Sequence, residues 1–128
     1  MFDEYRTISV ILFACGIARS MLDTYLTMEA ITHPKLKDIT LEQVLKALGD
    51  PVRISAVKQL LAMKGEEKVC GTFEYSITKA TFSHHLKILR EAGLIRFRDE
   101  GTRRFVSLRM QEVKKRFPGL MEMLQKDL

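Results

Sequence analysis

Residues 78–108 read TKATFSHHLKILREAGLIRFRDEGTRRFVSL, and within this stretch the hydrophobic period changes once. From Thr78 to Glu91 the apolar residues Phe82, Leu86 and Leu89 recur at i, i+4 and i+7, which puts them on one face of an α-helix. Thr78 offers an N-cap oxygen and Gly93 a C-terminal stop, so the spacing predicts a helix over Lys79 to Glu91. Its other face carries Lys79, Thr81, Ser83, His84, Lys87 and Arg90. His85, three residues from Phe82 and four from Leu89, falls on the inner edge, where a hydrogen-bonded structural histidine is expected. Beyond Gly93 the period drops to two. Leu94 to Arg98, a turn over Asp99-Glu100-Gly101-Thr102, and Arg103 to Leu108 read as a β-hairpin with aromatics inward and arginines outward.

Upstream, Asp50-Pro51 has the form of a helix start, and the helix is expected to run to about Lys64 and stop at Gly65. Ile54, Val57, Leu60 and Leu61 form its apolar face. Thr40-Leu41-Glu42-Gln43 has capping-box form and opens a shorter helix with Leu41, Val44, Leu45 and Leu48 as its stripe and Gly49 as its stop. Val69 to Tyr75 is expected to be weakly helical, because Gly71 and Thr72 are poor helix formers. The first thirty-two residues hold an apolar run, Ile8 to Ala18, and a helix ending near residue 30, before the break at His33-Pro34. Downstream of Arg109 come the cluster Lys114-Lys115-Arg116, a break at Pro118, and the series Leu120, Met121, Leu124, for which a dimer contact is the simple use.

A short helix, a turn, a capped helix with a basic outer face and an arginine-bearing hairpin make a winged helix-turn-helix. The expected architecture is mainly α (α+β), with a C-terminal β-hairpin wing and helical dimerisation elements at both ends. Residues 1–32 form the N-terminal extension, a dimer contact, and residues 33–128 the DNA-binding domain. The helix from Lys79 fits a major groove, where Lys79, Thr81, Ser83, His84 and Lys87 reach base edges, and Arg103 and Arg104 flank the turn towards the phosphate backbone. Charge agrees with that placement. The chain holds 21 Lys+Arg against 16 Asp+Glu, a formal +5, yet residues 1–50 carry five bases and seven acids, whereas Thr78 to Arg109 carry eight bases and three acids.

With 128 residues, 46% of them hydrophobic, the chain makes one packable domain, which excludes a multidomain enzyme and an integral membrane protein. No glycine-rich phosphate loop or paired catalytic carboxylates appear, and Ser83 beside His84 lacks an orienting acid, so no enzyme and no cofactor are expected. Cys15 and Cys70 form neither a C-x-x-C pair nor a Cys/His cluster, which suits a reducing cytoplasm.

Ala47-Leu48-Gly49-Asp50-Pro51-Val52-Arg53, the block Thr81 to Ile95 with its Ser83-His84-His85-Leu86 and Ala92-Gly93-Leu94, and the Gly101 turn resemble the ArsR/SmtB family of bacterial winged-helix regulators over roughly residues 40 to 125. The resemblance implies a homodimeric repressor on an imperfect palindrome of double-stranded DNA, released by an inducer that the residues leave unnamed. It departs from the metal-sensing members, which pair cysteines in the first helix of the motif or place carboxylate/His sets on the last helix. Here only Cys70 stands in that region and no His follows His85, while Cys70-Gly71-x-Phe73 and Phe117-Pro118-Gly119-Leu120 resemble a branch without metal boxes.

Three other readings stay open at this level. Cys70, with or without Cys15, makes a thiol- or metalloid-responsive repressor; a winged-helix adaptor uses the basic hairpin on an acidic protein; and residues 8–18 touch a membrane surface. Leu12-Phe13-Ala14-Cys15 also echoes a lipoprotein cleavage box, against a weak basic flank.

Overall fold

The computed structural model describes residues 31–127, so the readings on the apolar run and on Cys15 lie outside the described residues. Helix α1 (Leu41–Leu48) starts at Thr40, whose Oγ1 accepts the Gln43 N–H at 3.3 Å. The buried residues of α1 are Val44 and Ala47, while Leu41 and Leu45 are about half exposed. This corrects the expected stripe: α1 meets two other helices at once, and the small Ala47 fits that close approach where a leucine does not.

Helix α2 (Pro51–Leu61) begins on the Asp50 cap, with Oδ1 accepting from Val52 N at 2.9 Å and Arg53 N at 3.3 Å. It ends at Leu61, three residues before the expected end at Lys64, because the chain turns through Lys64 (φ 54°) and Gly65 (φ 91°), both left-handed. Ala56 joins Val57 and Leu60 as its buried residues, with Ile54 and Leu61 only half-buried.

The weak helix expected over Val69 to Tyr75 is instead a two-residue strand, β1 (Lys68–Val69), followed by a single 3-10 turn at Cys70–Thr72. β1 pairs antiparallel with β3, Val69 opposite Phe105. Local propensity here is slight, and hydrogen bonding to the hairpin's otherwise open edge decides the outcome.

Helix α3 (Lys79–Glu91) matches its expected bounds, with Thr78 Oγ1 accepting Thr81 N at 3.2 Å. Phe82, Leu86, Leu89 and Arg90 are buried, and the Phe82 ring stacks on Tyr75 with centroids 4.1 Å apart. Strands β2 (Ile95–Glu100) and β3 (Arg103–Leu108) then form the wing in a sheet of order β1-β3-β2. Glu100 pairs with Arg103, so the turn is two residues, Gly101-Thr102, with Gly101 at φ 62°. Asp99 and Glu100 extend β2 rather than sit in the turn.

Alternation along the wing corrects a second expectation. Phe97 faces inward opposite Val106, but Phe105 lies opposite Arg98 on the outer face, under its guanidinium at 4.4 Å, and Arg104 lies on the inner face with Asp99. Phe97, Arg98 and Phe105 cannot all obey the simple rule, since Phe97 and Phe105 fall on opposite faces once the register is set.

Helices α4 (Met110–Arg116) and α5 (Leu120–Asp127) close the chain, α5 packing on α2 and α4. Leu120, Met121 and Leu124 are buried within the chain itself, so the series is spent on the core and the exposed apolar residue of α5 is Met123. From His33 on, the described residues make one compact unit around Val44, Val57, Leu60, Phe82, Leu86, Leu94, Ile95 and Val106. Two contacts stitch its first residues to the sheet. Phe97 N donates to His33 Nε2 at 2.9 Å, and Arg109, 6% exposed, donates from Nη1 to Pro34 O at 2.8 Å and from Nη2 to Glu112.

Candidate nucleic-acid interface

The inner face of α3 is held by the core, which leaves Lys79, Thr81, Ser83, His84 and Lys87 all exposed on its outer side. They do not stand alike. The Thr81 hydroxyl lies 2.8 Å from that of Thr78 and so shares in the cap, and Lys87 Nζ sits 3.9 Å from Glu91 one turn on, a weak exposed pair. Lys79, Ser83 and His84 make no side-chain hydrogen bond or ion pair with the described residues. Ala80 is exposed on the same side, a methyl group that a search for polar side chains passes over.

His85 takes the structural position expected of it. Its Nδ1 lies 3.1 Å from Arg53 Nη1 and 3.8 Å from Asp50 Oδ1. Against the desolvation that opposes it, the N–H donors of Arg53 and Val52 hold the Asp50 carboxyl below the usual carboxylate range.

The wing's arginines divide sharply. Arg96 is bound to Glu112 at 2.7 Å, Arg98 to Glu67 at 2.9 Å and Glu100 at 2.8 Å, and Arg104 to Asp99 through two bonds of 2.8 and 3.0 Å while lying over the Phe97 ring. Arg103, beside the turn, is exposed and has no carboxylate partner among the described residues. These pairings were hidden from sequence reasoning: Glu67 lies thirty-one positions from Arg98 and Glu112 sixteen from Arg96, and Asp99 and Glu100 read there as turn residues.

Cys70 sits between α3 and the wing, half-buried and close enough to feel the charges of Arg104 and Lys79. Burial nonetheless pushes its thiol up, Asp99 adding to the effect, which disfavours the thiolate a reactive cysteine needs. Among the described residues no group of three or more His, Cys, Asp or Glu is placed to hold a metal, and no helix is long and apolar enough to cross a membrane.

Comparison with known proteins adds the family. Residues 50–96, from the α2 cap through α3 into β2, match the model described as "Bacterial regulatory protein, arsR family". The uncharacterized HTH-type transcriptional regulator YceK of Bacillus subtilis is 38% identical over 84 residues, covering 64% of this chain and 83% of that protein. The chain belongs to the ArsR family. Its members are transcriptional regulators that bind DNA, a non-enzymatic class, and this ArsR protein is one of them. A cadmium resistance transcriptional regulatory protein CadC homolog of Staphylococcus aureus is 32% identical over 98 residues, covering 71% of this chain and 79% of its own length. The arsenical resistance operon repressor of Bacillus subtilis is 37% identical over 73 residues, covering 56% and 69%. A crystal structure of an ArsR family transcriptional regulator superposes with a TM-score of 0.54 over 67% of this chain and 93% of the other at 19% identity, a likeness of fold.

Proposed function

We propose that this ArsR protein is a homodimeric repressor of a palindromic operator, with α3 of each copy in a major groove and each wing against the flanking backbone. The observation that carries this reading is the outer face of α3, where Lys79, Thr81, Ser83, His84 and Lys87 stand exposed on a helix fixed by its buried side. Side chains near the start of α3 read bases, and Arg103 meets a phosphate. Arg104 joins it by exchanging Asp99 for a phosphate oxygen. Residues 1–32 and the C-terminal helix, where Met123 is exposed, supply the dimer contact, and residues 33–128 the DNA-binding domain. The repressor role follows that of the arsenical resistance operon repressor of Bacillus subtilis, and a reducing cytoplasm is where such a protein meets its DNA. The thiol reading is the weaker, given the raised Cys70 thiol.

The test is fluorescence anisotropy of the full chain on the duplex immediately upstream of its own coding sequence and on a scrambled copy, across a salt series. Affinity on the scrambled duplex weaker by about 10³ or more is expected of an operator binder. Equal, salt-labile binding to both overturns the reading and leaves an adaptor with a basic patch.

A further inference from the structure

Among the described residues, Arg53 is the one side chain that joins three helices by hydrogen bonds. Reaching out of α2, its Nε donates to Ala47 O at 2.6 Å and its Nη2 to Lys46 O at 3.3 Å, both in the last turn of α1, while Nη1 meets His85 Nδ1 of α3 at 3.1 Å. The first bond satisfies a carbonyl that the helix C-terminus leaves without a partner, and the second joins the Gly49 N–H, 3.2 Å away, on Lys46 O. The third fixes chemistry as well as position. A guanidinium has five N–H donors and no acceptor, so His85 Nδ1 accepts and the proton of the neutral ring rests on Nε2. That Nε2 has no hydrogen-bond partner among the described residues, and it is not among the buried orphan atoms, so it reaches solvent. Asp50, which caps α2 with the same Oδ1 that lies 3.8 Å from His85 Nδ1, holds the Arg53 backbone in place through its N–H.

We propose that the Arg53–His85 hydrogen bond is a positioning device that sets the rotation of α3 about its own axis, and through it the selection of operator over other DNA. This deepens the operator reading above and rests on it. His85 directly follows His84 and precedes Lys87 by two residues. Successive residues are about 100° apart around a helix, so any turn of α3 that breaks the bond swings His84 and Lys87 by the same angle. Phosphate attraction tolerates such a turn, whereas base-edge hydrogen bonds do not. His85 and Arg53 therefore act on selectivity while general DNA affinity rests elsewhere, on the phosphate contact of Arg103.

Two substitutions of His85 separate this role from a plain packing role, because an Asn amide oxygen stands near the place of Nδ1 and a Gln amide near that of Nε2. In anisotropy on the upstream duplex and its scrambled copy, His85→Asn is expected to keep the wild-type ratio of affinities. His85→Gln and Arg53→Lys are expected to lower that ratio roughly tenfold or more, the scale of one mismatched base pair, with binding to the scrambled duplex unchanged. If Asn and Gln lower it equally, or neither lowers it, the positioning role is overturned. Wild-type protein that does not distinguish the duplexes overturns the operator reading first and this one with it. Nitrogen-15 shifts of the His85 ring in the free protein give an independent check: a protonated Nδ1 beside a bare Nε2 rules out the bond whatever the DNA result.

Discussion

Gly93 lies in the left-handed region at φ +88°, and a Cβ placed there would stand 2.5 Å from the Cγ1 and Cδ1 atoms of Ile39, itself 1% exposed. The glycine therefore stops α3 and also lets Ile39 close over its end. Gly93→Ala combines left-handed strain with overpacking, and about 2–4 kcal/mol of lost stability is expected in chemical denaturation. The added change Ile39→Val is expected to return part of it, and a loss below about 0.5 kcal/mol for the single variant would refute the packing argument. His33 gives a second test at this scale. Burial, helped by the charges of Arg96, Arg90 and Arg109 and opposed by Glu112, pushes its imidazole below the ordinary value, and its Nε2 must stay bare to accept the Phe97 N–H. The unfolded chain thus takes up this proton at a higher pH than the fold does. The stabilisation is fully present above about pH 6.5 and is lost as pH falls below that value towards the folded pKa. Thermal midpoints between pH 7.5 and 5 should fall less steeply in His33→Gln, which offers an acceptor that does not titrate; an identical slope would exonerate His33.

Within the wing, four arginines share one hairpin but not one task. Three of them are neutralised by Glu112, by Glu67 with Glu100, and by Asp99, so the wing's field is far weaker than its arginine content suggests. Arg103→Ala is accordingly expected to reduce the slope of log affinity against log salt by about one, the signature of one lost phosphate contact, while Arg98→Ala leaves it unchanged. An equal drop in slope for the two variants would mean that the Arg98 ion pairs open on DNA as well, and no drop for Arg103→Ala would remove its phosphate contact. The element bounds follow the same logic of local signal against tertiary demand. α3 was legible to the residue because cap, stripe and stop agree within sixteen positions, Thr78 to Gly93. β1 was not, since two residues carry no period and the reason for the strand lies in β3, thirty-six residues away.

For the whole molecule, a palindromic operator requires two copies of α3 about one helical turn of DNA apart, roughly 34–36 Å. Light scattering of the full chain is expected to give twice the 14.8 kDa chain mass, and a monomer at the concentration where operator binding saturates would contradict the dimer reading. The helix-turn-helix, its wing, the exposed residues of α3 and the family were readable from the sequence, because each is encoded by residues near one another in the chain: Asp50 before Pro51, Thr78 before the stripe, Gly101 between the strands. What only the tertiary structure decided is which side chains remain available. Arg53 is drawn to His85 across thirty-two positions, Arg98 to Glu67 across thirty-one, and Leu120, Met121 and Leu124 are buried inside the chain instead of offered to a partner. Such pairings depend on distances set by packing between distant segments, and neither period nor composition carries that distance.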